Sequence, residues 1–149
     1  MLYTTLNKIR AHSPCIEGWS KLLKTLNKTV ADDEILPFET ILESNGLDDA
    51  LWCCRSAPEY DREWRLYAVW CARQVQHLTV DVRSINAVDV AESYANGLTT
   101  AEDMGAACDA ACDAANAAAS AAASAAAWDA QKDCFLWVVN GGLAAFGKE

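Results

Sequence analysis

Apolar residues along this chain recur at spacings of three and four more than they alternate, so most of it reads as helix. Ser13-Pro14 is a helix-start signal, with serine as N-cap and proline in the first turn. The segment that follows places Cys15, Trp19, Leu22, Leu23 and Leu26 on one face and its lysines on the other. Residues 27–34 read as a polar loop. A short helix over 37–44 ends at Asn45-Gly46, a pair suited to the left-handed turn that closes a helix, and another over 48–56 stops before Pro58. The strongest pattern of the first half covers 60–78, where Trp64, Tyr67, Trp70, Cys71, Val75 and Leu78 spread around well over half of the helix circumference. That predicts a helix central to the core. Asp61 and Arg65 sit one turn apart on it, and Arg73 marks its polar flank. Asp81 caps a further helix carrying Val82, Ile85, Val88, Val90 and Tyr94, which Asn96-Gly97 terminates.

Thr99-Thr100-Ala101-Glu102 predicts a capping box in which the Thr99 hydroxyl and the Glu102 carboxylate satisfy orphan backbone N–H groups, with Asp103 adding negative charge in the first turn. It opens an alanine-rich helix over 99–134. The body of that helix is a series of tetrads headed by Cys108, Cys112, Asn116, Ser120, Ser124 and Trp128. Four residues advance a helix by about 400°, so the heads drift by about 40° per tetrad and roughly 200° over the series. They spiral, and neither a recognition stripe nor the flat array of an ice-binding helix results. The small side chains instead predict a stiff scaffold that other helices approach closely. After Cys134 the run Phe135-Leu136-Trp137-Val138-Val139 is strongly apolar, and Asn140-Gly141-Gly142 breaks the chain before Leu143 and Phe146. Such a run either folds back onto the domain or makes a self-association surface.

These elements predict an all-α chain, a single helical domain of six to seven helices. Residues 1–98 form a compact helical bundle, and 99–149 supply the alanine-rich helix and a short apolar C-terminal segment packed on the same domain. A length of 149 residues agrees with one core.

Charge narrows the partners. The formal net charge of −9 argues against nucleic acid, whose phosphates need clustered Lys and Arg. Residues 1–30 carry Lys8, Arg10, Lys21, Lys24 and Lys28 against only Glu17, whereas the middle of the chain is the acidic pole. Within it Asp32, Asp33, Glu34, Asp48 and Asp49 are the candidate partner-binding residues, because an acidic patch steers a basic protein toward it. The plainer reading is a solvated surface that keeps the protein soluble. Seven cysteines cannot all pair within one chain, and they lack zinc spacing, so they read as buried thiols. The N-terminal residues lack the apolar run of a signal peptide, and no uncharged stretch reaches the ~18 residues of a membrane span, which together predict a cytoplasmic protein.

Candidate chemistry is sparse. His12 and His77 are the only histidines, and His77 falls near the C-terminal end of an apolar helix, where a partly buried structural role or a favourable contact with the helix dipole fits better than catalysis. Cys53, Cys54 and Cys71 have no positioned base. Cys108 with Cys112, and Asp109 with Asp113, are pairs one turn apart that begin a metal site without completing one. Phosphate loops and nucleophile elbows are missing. The residues therefore predict no catalytic site, no metal and no cofactor.

The stretches LYTTLNKIR (2–10), ILESNGLDDALW (41–52) and DREWRLYAVWCARQVQHL (61–78) resemble a family of helical, alanine-tailed proteins of bacteriophages, prophages and actinobacteria that are often labelled immunity proteins. The likeness covers roughly residues 1–130, and the tail departs from it in carrying Cys, Asn and Ser where the family has tryptophan. The resemblance implies a non-enzymatic protein that neutralises a toxin by stoichiometric contact, and a phage setting equally implies an inhibitor of a host defence effector. Packing of copies through the alanine-rich helix and the apolar end is the structural alternative.

Overall fold

The computed structural model describes residues 1–78, 81–117 and 125–141, and eight α-helices and one short β-pair run through them. The all-α expectation holds. The chain divides into two compact units, Met1–Tyr60 together with the stretch from Phe135, and Asp61–Cys134.

In the first unit, Thr5 opens α1 (Leu6–Ala11) from an extended backbone, its hydroxyl accepting from Lys8 N at 3.2 Å. This helix is too short for its two buried residues, Leu6 and Ile9, to announce a period. Ser13 then takes a left-handed φ of 56° and donates its N–H to the Arg10 carbonyl at 3.0 Å. It therefore closes α1 and is unable to supply the extended backbone of a cap. The cap of α2 (Ile16–Thr25) is Cys15, whose Sγ accepts from Gly18 N at 3.3 Å, and the expected serine cap is corrected by two residues.

The loop after α2 leads to β2 (Leu36–Pro37), which pairs antiparallel with β1 (Tyr3–Thr4) and hands the chain to α3 (Phe38–Asn45). Gly46, at φ 98°, ends α3 and starts α4 (Leu47–Cys53), so Asn45-Gly46 terminates the helix as its sequence predicts. A 3₁₀ turn over Cys54–Ser56 brings Ser56 to the buried Thr4. The Ser56 hydroxyl donates to Cys53 O at 2.6 Å, which leaves its oxygen to accept from Thr4 Oγ1 at 2.8 Å.

The core of this unit joins Leu6, Ile9, Leu22, Phe38, Ile41, Leu42 and Leu47 to Phe135, Val138 and Val139 from the end of α8 (Ala125–Val139). Phe135 meets Phe38 edge-on, with ring centroids 6.4 Å apart at 76°. The Leu2 N–H donates to the Val139 carbonyl while the Leu2 carbonyl accepts from Phe38 N, so one residue ties the N-terminus to both partners. Burying each such large side chain contributes roughly 1.5–3 kcal/mol. The apolar run thus folds back into this unit, with Trp137 left 43% exposed.

In the second unit α5 (Asp61–Val75) packs against α6 (Val82–Ala95), and α6 against α7 (Ala101–Ala117). Within α5 only Tyr67 and Val69 are buried, so the central position expected of it is not seen. Four charged residues in its first turns and Arg73 in its last interrupt the apolar surface. Arg65 Nε donates to Asp61 Oδ2 at 2.6 Å and lies 4.8 Å over the Tyr94 ring, while Arg73 pairs with Asp89 at 3.1 Å and with Glu92. Asp81 caps α6 through Arg83 N at 2.9 Å, as expected. The capping box of α7 sits one residue later than predicted. Thr100 Oγ1 accepts from Asp103 N at 3.2 Å and Asp103 Oδ2 accepts from Thr100 N at 3.1 Å, while the buried Thr99 hydroxyl has no hydrogen-bond partner among the described residues. The continuous helix expected over 99–134 is described as α7 and part of α8, with 118–124 outside the described residues.

Candidate functional site

The acidic residues singled out in the sequence fall in the first unit, in two places. Asp32, Asp33 and Glu34 lie on the loop between α2 and β2. That loop is fastened to the start of α1, because Asn7 N donates to the Asp32 carbonyl at 3.0 Å and the Thr5 hydroxyl reaches Asp33 Oδ1 at 3.5 Å. Lys28 sits among the carboxylates, 2.6 Å from Asp32 Oδ2 and 2.6 Å from Glu34 Oε2. Its ammonium holds the Asp32 carboxyl below the ordinary value, and hydrogen bonds to Asp32 and Glu34 raise Lys28 in return. The segment carries one lysine against three carboxylates, two of them paired with it, so it stays negative. Val30 and Ile35, 67% and 66% exposed, flank it on the chain.

Asp48 and Asp49 stand in the first turn of α4, where the helix dipole favours carboxylates. Asp48 is exposed, whereas Asp49 is half-buried and accepts from Asn45 Nδ2 at 2.7 Å on Oδ2. Among the described residues no Lys or Arg pairs with Asp33, Asp48 or Asp49. Among the described residues the hydrogen bonds and ion pairs of the two groups share no residue.

Two concavities open on this unit. An open groove of about 450 Å³ is lined mainly by polar surface and includes Arg10, Ser13, Trp19, Thr29 and Val30. A smaller pocket of about 100 Å³ is mostly apolar, set among Ile9, Trp19, Leu22, Ile41 and Trp52, with Asn45, Asp49, Cys15 and Cys53 on its wall. Sequence reasoning missed this pocket. Its lining comes from four helices, and the one local signal is Gly18, a glycine inside a helix where alanine is favoured by roughly 1 kcal/mol. A methyl group there would lie 2.7 Å from Asp49 Oδ2.

Four thiols are poorly placed for nucleophilic chemistry. Burial, helped by the Asp49 charge, pushes Cys53 up to about 12, and burial beside Cys53 does the same to Cys54. Burial also raises Cys71, and it takes Cys134 up to about 11. Cys15 and Cys108 are exposed, so the expectation of buried thiols is corrected for these two. Cys15 caps α2, and Cys108 lies within α7. His12 caps α1, and His77 is exposed in the 3₁₀ turn that follows the C-terminus of α5, so of its two expected roles the partly buried one is not seen. Asp109 is exposed, while the side chains of Cys112 and Asp113 lie outside the described residues. Among the described residues, no three His, Cys, Asp or Glu side chains gather as metal ligands, and no helix is long and apolar enough to cross a membrane. Compared with known protein families, curated proteins and solved structures, the chain matches none.

Proposed function

We propose that this chain is a non-enzymatic, phage- or prophage-type protein that neutralises a toxin or inhibits a defence effector by stoichiometric protein contact, with its first unit supplying the contact surface. The observation that carries the reading is the segment 28–35. It is held to α1 at Asp32 and Asp33, remains net negative despite Lys28, and presents the exposed Val30 and Ile35 on either side of its carboxylates. Apolar side chains bordered by charge are the usual make-up of a transient protein interface, and a fixed loop loses less conformational freedom on docking than a free one. The sequence likeness to phage proteins labelled immunity proteins supports a toxin or effector as the partner. The protonated Cys53 and Cys54 support contact over thiol chemistry. Self-association through the apolar C-terminal run has less surface to draw on, because Phe135, Val138 and Val139 are buried.

The test is capture from a lysate of cells encoding the chain, using the wild type and an Asp33→Lys/Asp48→Lys variant, followed by titration of the recovered partner. The wild type should bind near one-to-one and weaken as salt rises, and the variant should bind less with a flatter salt dependence. Equal capture and equal salt dependence for both would overturn the acidic-surface reading.

A further inference from the structure

The pocket beside Asp49 has a composition that selects a ligand class. Its walls are aliphatic at Ile9, Leu22 and Ile41 and aromatic at Trp19 and Trp52, and Asp49 is its one acidic group. The carboxylate is built into place. Asn45 Nδ2 donates to Asp49 Oδ2 at 2.7 Å and to the Gly18 carbonyl at 2.9 Å, and the Ser44 hydroxyl donates to Asn45 Oδ1 at 2.7 Å, so the amide that orients the carboxylate is itself fully engaged. Gly18 supplies the room, since any side chain there would begin 2.7 Å from Oδ2. Among the described residues no donor reaches Asp49 Oδ1.

We infer that this pocket binds a quaternary alkylammonium group, such as the trimethylammonium of choline or of trimethyl-lysine. Three properties of the site lead to that class. A carboxylate on an apolar, aromatic wall calls for a cation, and indole rings attract cations through their faces. A volume of about 100 Å³ suits a group of about four or five heavy atoms, on the scale at which an apolar cavity of about 150 Å³ takes up benzene. The acceptors are too few for an ordinary ammonium or guanidinium, whose three or five N–H donors would be left partly unsatisfied on apolar walls. A trimethylammonium group has no donors to satisfy. Arg55 lies 4.3 Å over the Trp52 ring and already occupies that indole with a cation, which leaves Trp19 and Asp49 as the principal attracting groups for a ligand. The site is independent of the protein-capture reading.

The experiment titrates the intact protein with choline, Nε-trimethyl-lysine, lysine and the neutral analogue 3,3-dimethylbutan-1-ol, following the Trp19 indole and Asp49 amide signals by NMR. Saturable shifts at both residues are expected for one or both methylated cations, with binding about tenfold or more tighter than for the neutral alcohol or for lysine. Which of the two methylated cations binds better identifies the source of the group. Asp49→Asn keeps the shape and should lose about tenfold in affinity, and Gly18→Ala should lose at least as much by displacing the carboxylate. The wild-type comparison of cation with neutral isostere needs no variant to fold. Equal binding of choline and the neutral alcohol, or no saturable shift at Trp19 and Asp49, overturns the inference.

Discussion

Replacing Phe135 with alanine is the most direct test of whether the C-terminal apolar run belongs to the core of the first unit. Phe135 is fully buried and stacks edge-on against the equally buried Phe38 at 6.4 Å. A buried aromatic side chain removes upward of ~150 Å² from water, which at about 25 cal/mol per Å² is roughly 4 kcal/mol, in line with the 3–5 kcal/mol that such truncations cost on average. Set against total stabilities of about 5–15 kcal/mol, Phe135→Ala should bring the unit close to unfolding. Phe135→Leu keeps most of the volume and should cost about 1–1.5 kcal/mol, which leaves a folded protein to measure. The assay is urea unfolding by circular dichroism, joined to amide hydrogen exchange in α1 and α3, which reports the first unit even when the second melts separately. A cycle with Phe38→Leu should reveal coupling of about 0.5–1.5 kcal/mol between the rings. If Phe135→Ala changed stability by only about 0.5 kcal/mol, as at an exposed site, and left exchange in α1 and α3 untouched, the core described here would be refuted.

Thr100→Ala removes one half of the capping box of α7 and should cost about 1 kcal/mol, seen as a lower melting temperature, whereas Thr99→Ala should cost less because the Thr99 hydroxyl makes no hydrogen bond among the described residues; the reverse order would restore the earlier register. Disulfide-reagent labelling near pH 8 should modify Cys15 and Cys108 first and Cys53 and Cys54 slowest, since the last two stay protonated until about pH 12; rapid labelling of Cys53 in the folded protein would contradict its burial. Asp81 is held down to about 2 by its hydrogen bonds with Arg83. A folded-state value below the unfolded one makes its contribution complete above pH ~4 and lost as pH falls toward 2, so acid melts of the wild type should fall more steeply in that window than those of Asp81→Asn.

How far the sequence reaches into this structure depends on whether a signal is local. Asp81, Gly46 and Gly97 mark helix ends that need only their own neighbours, and all three act where their residue types predict. Thr99 and Thr100 each have an acid three residues on, so two capping registers are equally written in the chain. Packing chooses between them by burying Thr99. Cys15 is a poor cap by type, and it caps because Ser13 is already committed to the turn that ends α1. The β-pair and α1 are too short to carry a period. The same division runs through the site. The carboxylates were legible as a cluster, and Lys28 with Asp32 is an i,i+4 pair that spacing alone could have found. The pocket was not, because Trp19, Asn45, Asp49 and Trp52 meet only after α2, α3 and α4 have packed.

The five acidic residues therefore separate into groups with different reach. Asp32 and Glu34 are joined to Lys28, and a charge paired at 2.6 Å acts outward mainly as a dipole, whose field fades faster than that of a lone charge. Asp33 and Asp48 are exposed and unpaired among the described residues, so they project over the ~8 Å that physiological salt allows and govern the encounter with a charged partner. Asp49 is different again. It is half-buried beside apolar walls, where screening is weak, and its charge adds to the rise of Cys53 that burial mainly causes. Changes at Asp33 and Asp48 should act on association rate and salt dependence, and changes at Asp49 on the hold over a cation in the pocket. A partner whose capture responded to Asp49 as strongly as to Asp33, with the same salt dependence, would mean that the two places form one interface.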